Sequence, residues 1–164
     1  MVKDVRLNLS PYYSIEMSTT DQSRVLLRQR FDFAAAHRLH VSAFSAAENV
    51  KRFGKCNNPK GHGHNYQIEP CISVRLASDG AHQFSLADLE ALVEKVIIAR
   101  FDHMHLNEDT TEFSANGGVL PTVENIAKVS YELLRSAVAE QASGVALHSV
   151  TVWETDRTSA TYPA

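Results

Sequence analysis

The sequence lacks the features that mark several large classes of protein. It has only two cysteines, Cys56 and Cys71, which are too few for a disulfide framework and typical of a reducing cytoplasm. It contains no run of 18 apolar residues, so it offers no membrane-spanning helix. Residues 1–6 mix charges of both signs and do not resemble a signal peptide. We therefore expect a cytoplasmic protein without a membrane partner.

An excess of charge of one sign is also missing. The 164 residues carry a net charge of −3, which argues against a nucleic-acid partner held by the overall field of the protein. A chain of this length can bury roughly 70% of the surface that it exposes when unfolded, so it needs no disulfides. No internal repeat or long linker divides it. We expect a single domain over residues 1–164.

Alternating apolar residues predict strands at residues 25–37, 62–76 and about 147–155. Pro70 interrupts the second strand and predicts either an edge strand or a bulge. Residues 40–61 break the alternation and are expected to form a loop. Residues 1–22 are interpreted as an N-terminal extension or an extra hairpin, because apolar side chains alternate there in two short runs: Val5, Leu7, Leu9 and Tyr13, Ile15, Met17.

Two helices are expected between the second and third strands. Ser85 is the predicted N-cap of the first, and its apolar spacing continues to about residue 101. The second is predicted to open at residues 121–122 and to close at residues 143–144. This order indicates an α+β fold, an antiparallel β-sheet of about four strands with two helices packed on one face. The unpaired edges of so small a sheet favour oligomer formation.

Histidine is the residue in excess. The chain has eight, and His62-Gly63-His64 places two of them on the same side of a predicted strand. His37, at the end of the preceding strand, can supply a third imidazole. Three imidazoles leave a tetrahedral Zn2+ one open position, as in catalytic sites. The alternative is a set of histidines at a partly wet surface. His103 lies beside an acidic residue, Asp102, and the other four have no comparable context: His40, His82, His105 and His148.

Cys56 lies six residues before His62 in a polar loop. A single thiol near histidines is a candidate base, nucleophile or metal ligand. As a fourth ligand, Cys56 would close the zinc site and make the metal structural. Cys71 lies within a predicted strand and is interpreted as a packing residue.

Three further positions carry acidic groups. Asp102 beside His103 can form a carboxylate–imidazole pair that holds or moves a proton near neutral pH, although a solvated helix C-terminus would explain the same residues. Glu124 lies in the first turn of a predicted helix, where the helix dipole favours a carboxylate. Glu154 lies on the apolar side of the last strand. It therefore needs a partner, either a ligand with paired N–H donors or a buried arginine.

Five motifs, in order along the chain, resemble those of the 6-pyruvoyl-tetrahydropterin synthase family. They are Phe-Ala-Ala-Ala-His-Arg-Leu at 33–39, Cys-Asn-Asn-Pro-Lys-Gly-His-Gly-His-Asn-Tyr at 56–66, Asp-His-x-x-Leu-Asn at 102–107, Pro-Thr-Val-Glu-Asn at 121–125 and Val-Trp-Glu-Thr at 152–155. The resemblance implies the tunnelling fold (T-fold), in which sheets from three subunits join into an oligomeric barrel. Two trimers would stack as a homo-hexamer, with active sites at the subunit interfaces.

The resemblance further implies a zinc-dependent lyase that acts on a pterin triphosphate. It would convert 7,8-dihydroneopterin triphosphate to 6-pyruvoyl-tetrahydropterin with elimination of triphosphate. His37, His62 and His64 would hold Zn2+, which would bind the side-chain hydroxyls and acidify the neighbouring C–H bonds. Cys56, as a thiolate beside the dication, would be the general base, and tautomerisation would move electrons internally.

The remaining motifs imply further site residues. Asp102 and His103 would complete the proton-handling group of the general base. Glu154 would anchor the pterin, with its two oxygens facing N–H groups of the pyrimidine ring. Thr122 and Glu124 match a motif that lines the same pocket. Basic residues near the loop either meet the triphosphate or form an ordinary charged surface: Lys51, Arg52, Lys55 and Lys60.

Two alternatives remain open at this point. The 6-carboxytetrahydropterin synthases of queuosine biosynthesis share the substrate and the zinc triad, but typically have fewer residues between the cysteine and His-Gly-His. The five residues between Cys56 and His62 favour the pyruvoyl product. The other alternative is a noncatalytic zinc- or pterin-binding protein on the same fold. The joint presence of Cys56, Asp102, His103 and Glu154 favours the enzyme.

Overall fold

A computed structural model describes residues 3–77, 84–141 and 143–164, and His82 lies outside the described residues. The strands are β1 Asp4–Asn8, β2 Tyr13–Ser18, β3 Arg24–Gln29, β4 Phe31–His37, β5 His62–Arg75, β6 Met104–His105, β7 Val145–Thr155 and β8 Thr158–Tyr162. The helices are α1 Ala46–Phe53, α2 Leu86–Val93, α3 Ala99–Phe101, α4 Leu106–Asp109 and α5 Val123–Ala139.

The long strand β5 organises the sheet. It pairs antiparallel with β3 along its second half, from Arg24↔Arg75, and with β4 along its first half, as far as His37↔His62. On its other side it pairs with β7, which continues to β8. The single strand predicted at residues 25–37 is therefore two strands in one line. They separate at Arg30, whose backbone N–H donates to the Tyr12 carbonyl rather than to β5.

Pro70 does not mark an edge strand, because β5 has partners on both sides. The other expectation, a bulge, describes the site: the register between β5 and β7 shifts between Cys71 and Ile72. One extra residue of β7 is accommodated there, next to the proline that cannot donate to the ladder.

The sheet is larger than the four strands expected, mainly because of its two ends. Residues 1–22 contain the hairpin β1–β2, in which Val5 lies opposite Met17 and Leu7 opposite Ile15. Strand β2 pairs with β3, so the hairpin extends the sheet. A two-residue parallel bridge between β4 and β6 adds to the other half, and β8 follows β7.

The two predicted helices are present, with different ends. Ser85 accepts from the Asp88 backbone N–H in a capping box, and α2 continues through a π-helical stretch, Glu94–Ile98, into α3. Helix α5 ends at Ala139, several residues before the predicted stop. None of the helices in the described part of the chain has the length and apolar character needed to cross a bilayer.

Helix α1 lies in the stretch that was expected to be a loop. Its N-cap is Ser45, and its buried residue is a polar one, Asn49, while Val50 is exposed. Asn49 donates to and accepts from the backbone of Val41, which fastens the helix to the end of β4. Because the buried face of α1 is polar, apolar periodicity could not reveal it.

One hydrophobic core joins the sheet to the helices. Side chains of one sheet face, including Tyr66 and Ile68, are buried together with Leu89 of α2 and Ile126 of α5. Both long helices therefore cover the same face, as the sequence predicts. The histidines of β4 and β5 continue this face toward one end of the sheet.

Candidate metal centre and active site

Three histidines meet where β4 ends and β5 begins. The register places His37 opposite His62, and His64 points to the same face two residues later. The Nε2 atoms of His37 and His62 are 3.1 Å apart. Each of the three side chains offers a ligand nitrogen within 4.8 Å of the others. Nitrogens bound to one tetrahedral Zn2+ lie about 3.3 Å apart, so small rotations of the rings suffice.

The chemistry of these histidines fits a metal ion. The Nδ1–H of His37 donates to the Pro121 carbonyl at 2.7 Å, which leaves the Nε2 lone pair directed at the cluster. Burial lowers the pKa of His37 to about 4, so the ring is neutral at pH 7. His64 Nε2 is buried with no hydrogen-bond partner among the described residues, and His62 Nε2 faces His37 Nε2, a contact of two nitrogens that a shared cation would satisfy. Neutral imidazoles with free lone pairs are what Zn2+ requires.

Glu154 lies beside the histidine cluster, on the core face of β7. Its Oε1 is 3.4 Å from His37 Nε2 and 3.8 Å from His64 Nε2. The Tyr66 hydroxyl donates to the same oxygen at 3.5 Å. Burial and the charge of Glu154 raise the pKa of Tyr66, so this hydroxyl keeps its proton. The sequence marked Glu154 as a carboxylate in need of a partner, but it gave no sign that Tyr66 would be one.

Cys56 is held against the end of β4 by its neighbours in the 3-10 helix Gly54–Asn57. Its carbonyl accepts the Leu39 N–H at 2.8 Å, and the Asn57 amide donates to the Leu39 carbonyl at 2.8 Å. Burial and the charge of Glu154 raise the pKa of the Cys56 thiol. Among the described residues, Cys56 does not belong to the set of clustered ligand atoms. The closed four-ligand site is therefore the weaker of the two metal hypotheses.

Asp102 and His103 lie elsewhere. Asp102 Oδ1 accepts the Ala34 N–H at 2.8 Å, and Oδ2 accepts from His103 Nδ1 at 2.8 Å. The Ala34 N–H is the main cause that lowers the pKa of Asp102. His103 has a left-handed backbone with φ 59°, unusual for a residue with a side chain and costly by about 1 kcal/mol. Its side chain is 82% exposed. No hydrogen bond or ion pair in the described residues joins this pair to the three histidines.

The pair instead borders a cavity of about 760 Å³ on the other face of the sheet. Asn65 and Gln67, which alternate with His64 along β5, line this cavity. Arg30 and Trp153 also line it, with the Arg30 guanidinium 4.3 Å from the centre of the Trp153 ring. Within one chain, the candidate site residues thus divide between the two faces of the sheet.

Thr122 and Glu124 begin helix α5. The Thr122 hydroxyl accepts from the Asn125 N–H at 3.4 Å, as an N-cap does. Glu124 is exposed in the first turn and makes no hydrogen bond or ion pair with other described residues. The preceding Pro121 carbonyl holds His37, so this helix start also positions the metal cluster. That contact involves a backbone atom, which no residue pattern could indicate.

Two residues adjoining the cluster were not expected from the sequence. His105, interpreted as having no special context, has its Nε2 only 2.6 Å from where a Cβ on Gly61 would lie. Asn107 accepts the Arg38 N–H at 2.7 Å and donates to the Arg38 carbonyl at 3.2 Å. His105 lies in the bridge between β4 and β6, opposite Ala36, and Asn107 follows the bridge and fixes the backbone just after His37.

Comparisons with known proteins point to one family. A family model described as 6-pyruvoyl tetrahydropterin synthase matches residues 26–164. Human 6-pyruvoyl tetrahydrobiopterin synthase is 37% identical over 134 residues, 82% of this chain and 88% of that protein. The solved structure of Caenorhabditis elegans 6-pyruvoyl tetrahydropterin synthase has a TM-score of 0.74 and 34% identity, covering 85% and 94% of the two chains. It confirms the expected fold class. Haemophilus influenzae 6-carboxy-5,6,7,8-tetrahydropterin synthase is 30% identical, covering 62% and 79%.

Proposed function

Because the chain belongs to the 6-pyruvoyl tetrahydropterin synthase family, we propose that it is a lyase that converts 7,8-dihydroneopterin triphosphate to 6-pyruvoyl-tetrahydropterin and triphosphate. The observation that carries this proposal is the meeting of three imidazoles and one carboxylate at the end of the sheet. His37, His62 and His64 supply the imidazoles and Glu154 the carboxylate, with its Oε1 3.4 Å from His37 Nε2.

The three histidines are the proposed ligands of Zn2+. The bound ion would supply Lewis acidity toward the side-chain oxygens of the substrate. The hydrogen bond from His37 Nδ1 to the Pro121 carbonyl fixes the ring orientation that this requires. His37 is buried while His62 and His64 are partly exposed, so the cluster has one side in the protein interior, where charge interactions are stronger, and one side open to a ligand.

Cys56 is the proposed general base. It takes a proton from a substrate carbon next to a hydroxyl, and the electron pair left behind drives the loss of triphosphate. Since burial and Glu154 both raise the pKa of this thiol, its thiolate needs a nearby positive charge. The histidine cluster, once it holds a divalent cation, is the source of that charge.

Glu154 is the proposed pterin anchor. A carboxylate accepts two parallel N–H bonds, which matches the N–H groups along one edge of a pterin. The Tyr66 hydroxyl at 3.5 Å supports one carboxylate oxygen and leaves the other free for the ligand. Thr122 and Glu124, at the start of α5, are proposed to line the same pocket.

Asp102 and His103 are proposed to handle a proton for a neighbouring subunit. They lie on the opposite face of the sheet from Glu154, so they reach a reacting centre only across an interface. This arrangement favours a homo-oligomer, which we propose to be a hexamer of two stacked trimers. The two cysteines are free, so a reducing compartment such as the cytoplasm suits the chain.

The decisive experiment incubates the zinc-loaded protein with 7,8-dihydroneopterin triphosphate. Release of triphosphate and a 6-pyruvoyl product identified by mass are expected. A 6-carboxy product with acetaldehyde would transfer the assignment to the 6-carboxytetrahydropterin synthases. We expect this outcome less, because the Haemophilus influenzae relative of that type covers less of this chain than the human protein does. Absence of triphosphate release under every condition would overturn the enzyme and leave the noncatalytic binding protein.

Two variants test the assigned roles. Cys56→Ala should abolish turnover but retain zinc, whereas loss of zinc would show that the thiol is a structural ligand. Cys71→Ala is the control, because this buried thiol lies in the second half of β5, away from His62 and His64. Co-assembly of equal amounts of Cys56→Ala and His103→Ala subunits should restore about one quarter of the wild-type activity if each site uses two subunits. No recovery would place the complete site in one chain.

A further inference from the structure

A second cavity, of about 760 Å³, opens between the end of β4, helix α1 and the 3-10 helix that carries Cys56. Arg38 and Lys55 contribute its cationic groups, His40 is among its polar groups, and Ala46 and Val50 of α1 form an apolar wall. We call this cavity the basic pocket. His62, one of the three proposed zinc ligands, also lines it, so the pocket adjoins the proposed metal centre directly.

The charges of the basic pocket have no counterions in the part of the chain that the structure describes. Neither Arg38 nor Lys55 forms an ion pair with any described carboxylate. Arg52 on the neighbouring helix is different: its Nε lies 2.5 Å from Glu48, and its guanidinium stacks 4.7 Å from the Phe44 ring centre. Arg38 is half-buried and Lys55 exposed, so both cations can meet an anionic ligand beside the apolar wall.

Hydrogen bonds orient the pocket toward such a ligand. His40 Nδ1 lies 2.9 Å from the Asn57 amide nitrogen and 3.2 Å from Arg38 Nη2. Both of those groups only donate, so His40 Nδ1 is the acceptor and its Nε2 carries the hydrogen. Arg38 is anchored by its Nε, which donates to the Asn57 carbonyl at 3.2 Å. Two side chains therefore offer N–H donors that are already positioned.

We propose that the basic pocket binds the triphosphate group of the substrate, with Lys55 and Arg38 supplying charge and His40 an N–H donor. This inference rests on the proposed function and names the part of the site that holds the leaving group. Of the four basic residues near the loop that the sequence suggested, only Lys55 lines the pocket. The sequence did not indicate a role in triphosphate binding for Arg38, which is only part of a motif, or for His40, which has no distinctive context.

A titration of the full-length, zinc-loaded protein with inorganic triphosphate tests the proposal, with zinc content measured afterwards. The wild type should bind, and Lys55→Gln should bind about tenfold more weakly. Lys95→Gln removes the same charge from the exposed surface beyond α2 and should bind as the wild type does. Equal affinity of the wild type and Lys55→Gln, or an equal loss in both variants, would overturn the proposal.

Kinetics provide the second measurement. Lys55→Gln should raise KM for the triphosphate substrate with little change in kcat, because the pocket holds a group that is bound before and during the reaction. A fall in kcat at unchanged KM would overturn the proposal. If the enzyme turns over the substrate but Lys55→Gln binds triphosphate as the wild type does, only the role of the basic pocket is refuted. If triphosphate binding depends on Lys55 but the protein shows no turnover, only the proposed reaction is refuted.

Discussion

The tight turn at Gly61 is predicted to be indispensable for the metal cluster. Gly61 has φ +70°, in the left-handed region that side chains rarely adopt. A Cβ there would lie 2.6 Å from His105 Nε2 and 2.9 Å from the His37 carbonyl oxygen. The imidazole can turn away, but the carbonyl belongs to the backbone of a proposed zinc ligand. Gly61→Ala therefore combines backbone strain with displacement of His37.

The magnitude follows from two contributions. A non-glycine residue in the left-handed region costs about 1–2 kcal/mol, and crowding that moves packed backbone costs about 1–3 kcal/mol. Their sum, about 3 kcal/mol, corresponds to a fall in Tm of roughly 6–12 °C for a chain of this size. Displacement of His37 should also weaken zinc binding about tenfold or more, by analogy with loss of a supporting contact to a metal ligand.

Two other glycines separate these contributions. Gly54 has φ +52° but nothing within 4 Å of its missing Cβ, so Gly54→Ala should show strain alone, a fall in Tm of about 2–8 °C. For Gly63 only the Ala35 carbonyl oxygen lies near, at an ordinary 3.6 Å, so Gly63→Ala should change stability by about 0.5 kcal/mol or less. Thermal unfolding and chelator competition measure both effects. Equal losses for Gly61→Ala and Gly54→Ala would refute the reasoning from close approach.

Three further outcomes follow from caps, thiols and buried charge. Ser85→Ala removes the capping box with Asp88 and should cost about 1 kcal/mol in thermal unfolding. Cys56 should react with an alkylating reagent before Cys71, whose thiol is fully buried with a pKa raised to about 11; faster labelling of Cys71 would contradict the packing. Below pH 6.5 the native state of the metal-free protein binds fewer protons than the unfolded chain, because the pKa of His37 is about 4. Its free energy of unfolding should therefore fall by up to about 3 kcal/mol between pH 6.5 and pH 4, as denaturant titrations would show.

Periodicity predicted the elements whose buried face is apolar. Strands β5 and β7 and helices α2 and α5 all show one apolar side in the sequence and lie where it indicates. Periodicity did not predict helix α1, because its buried residue is the polar Asn49. The end of the second helix was misplaced because Gly144, with φ +83°, belongs to the turn that precedes β7 rather than to a helix cap.

The candidate site was predictable where neighbours in sequence are neighbours in space. His62 and His64 alternate on one strand, and His37 meets them through the pairing of β4 with β5. The support for this cluster was not predictable, because it comes from distant segments. The Pro121 carbonyl and the Tyr66 hydroxyl carry no distinctive pattern in the sequence, and only the fold brings them within 3.5 Å of His37 or Glu154.

The electrostatics of the site connect its anion anchor, its base and its cations. Glu154 lies 3.4 Å from a buried, neutral His37, and its charge raises the pKa of Cys56. Alone, the carboxylate that would hold the pterin therefore opposes the thiolate that would deprotonate it. A divalent cation on the three imidazoles would reverse this opposition, because its positive charge would favour the thiolate and offset the charge of Glu154. A cluster of neutral ligands is thus better suited than one with a thiolate ligand, since it keeps the full double charge of the ion available to Cys56.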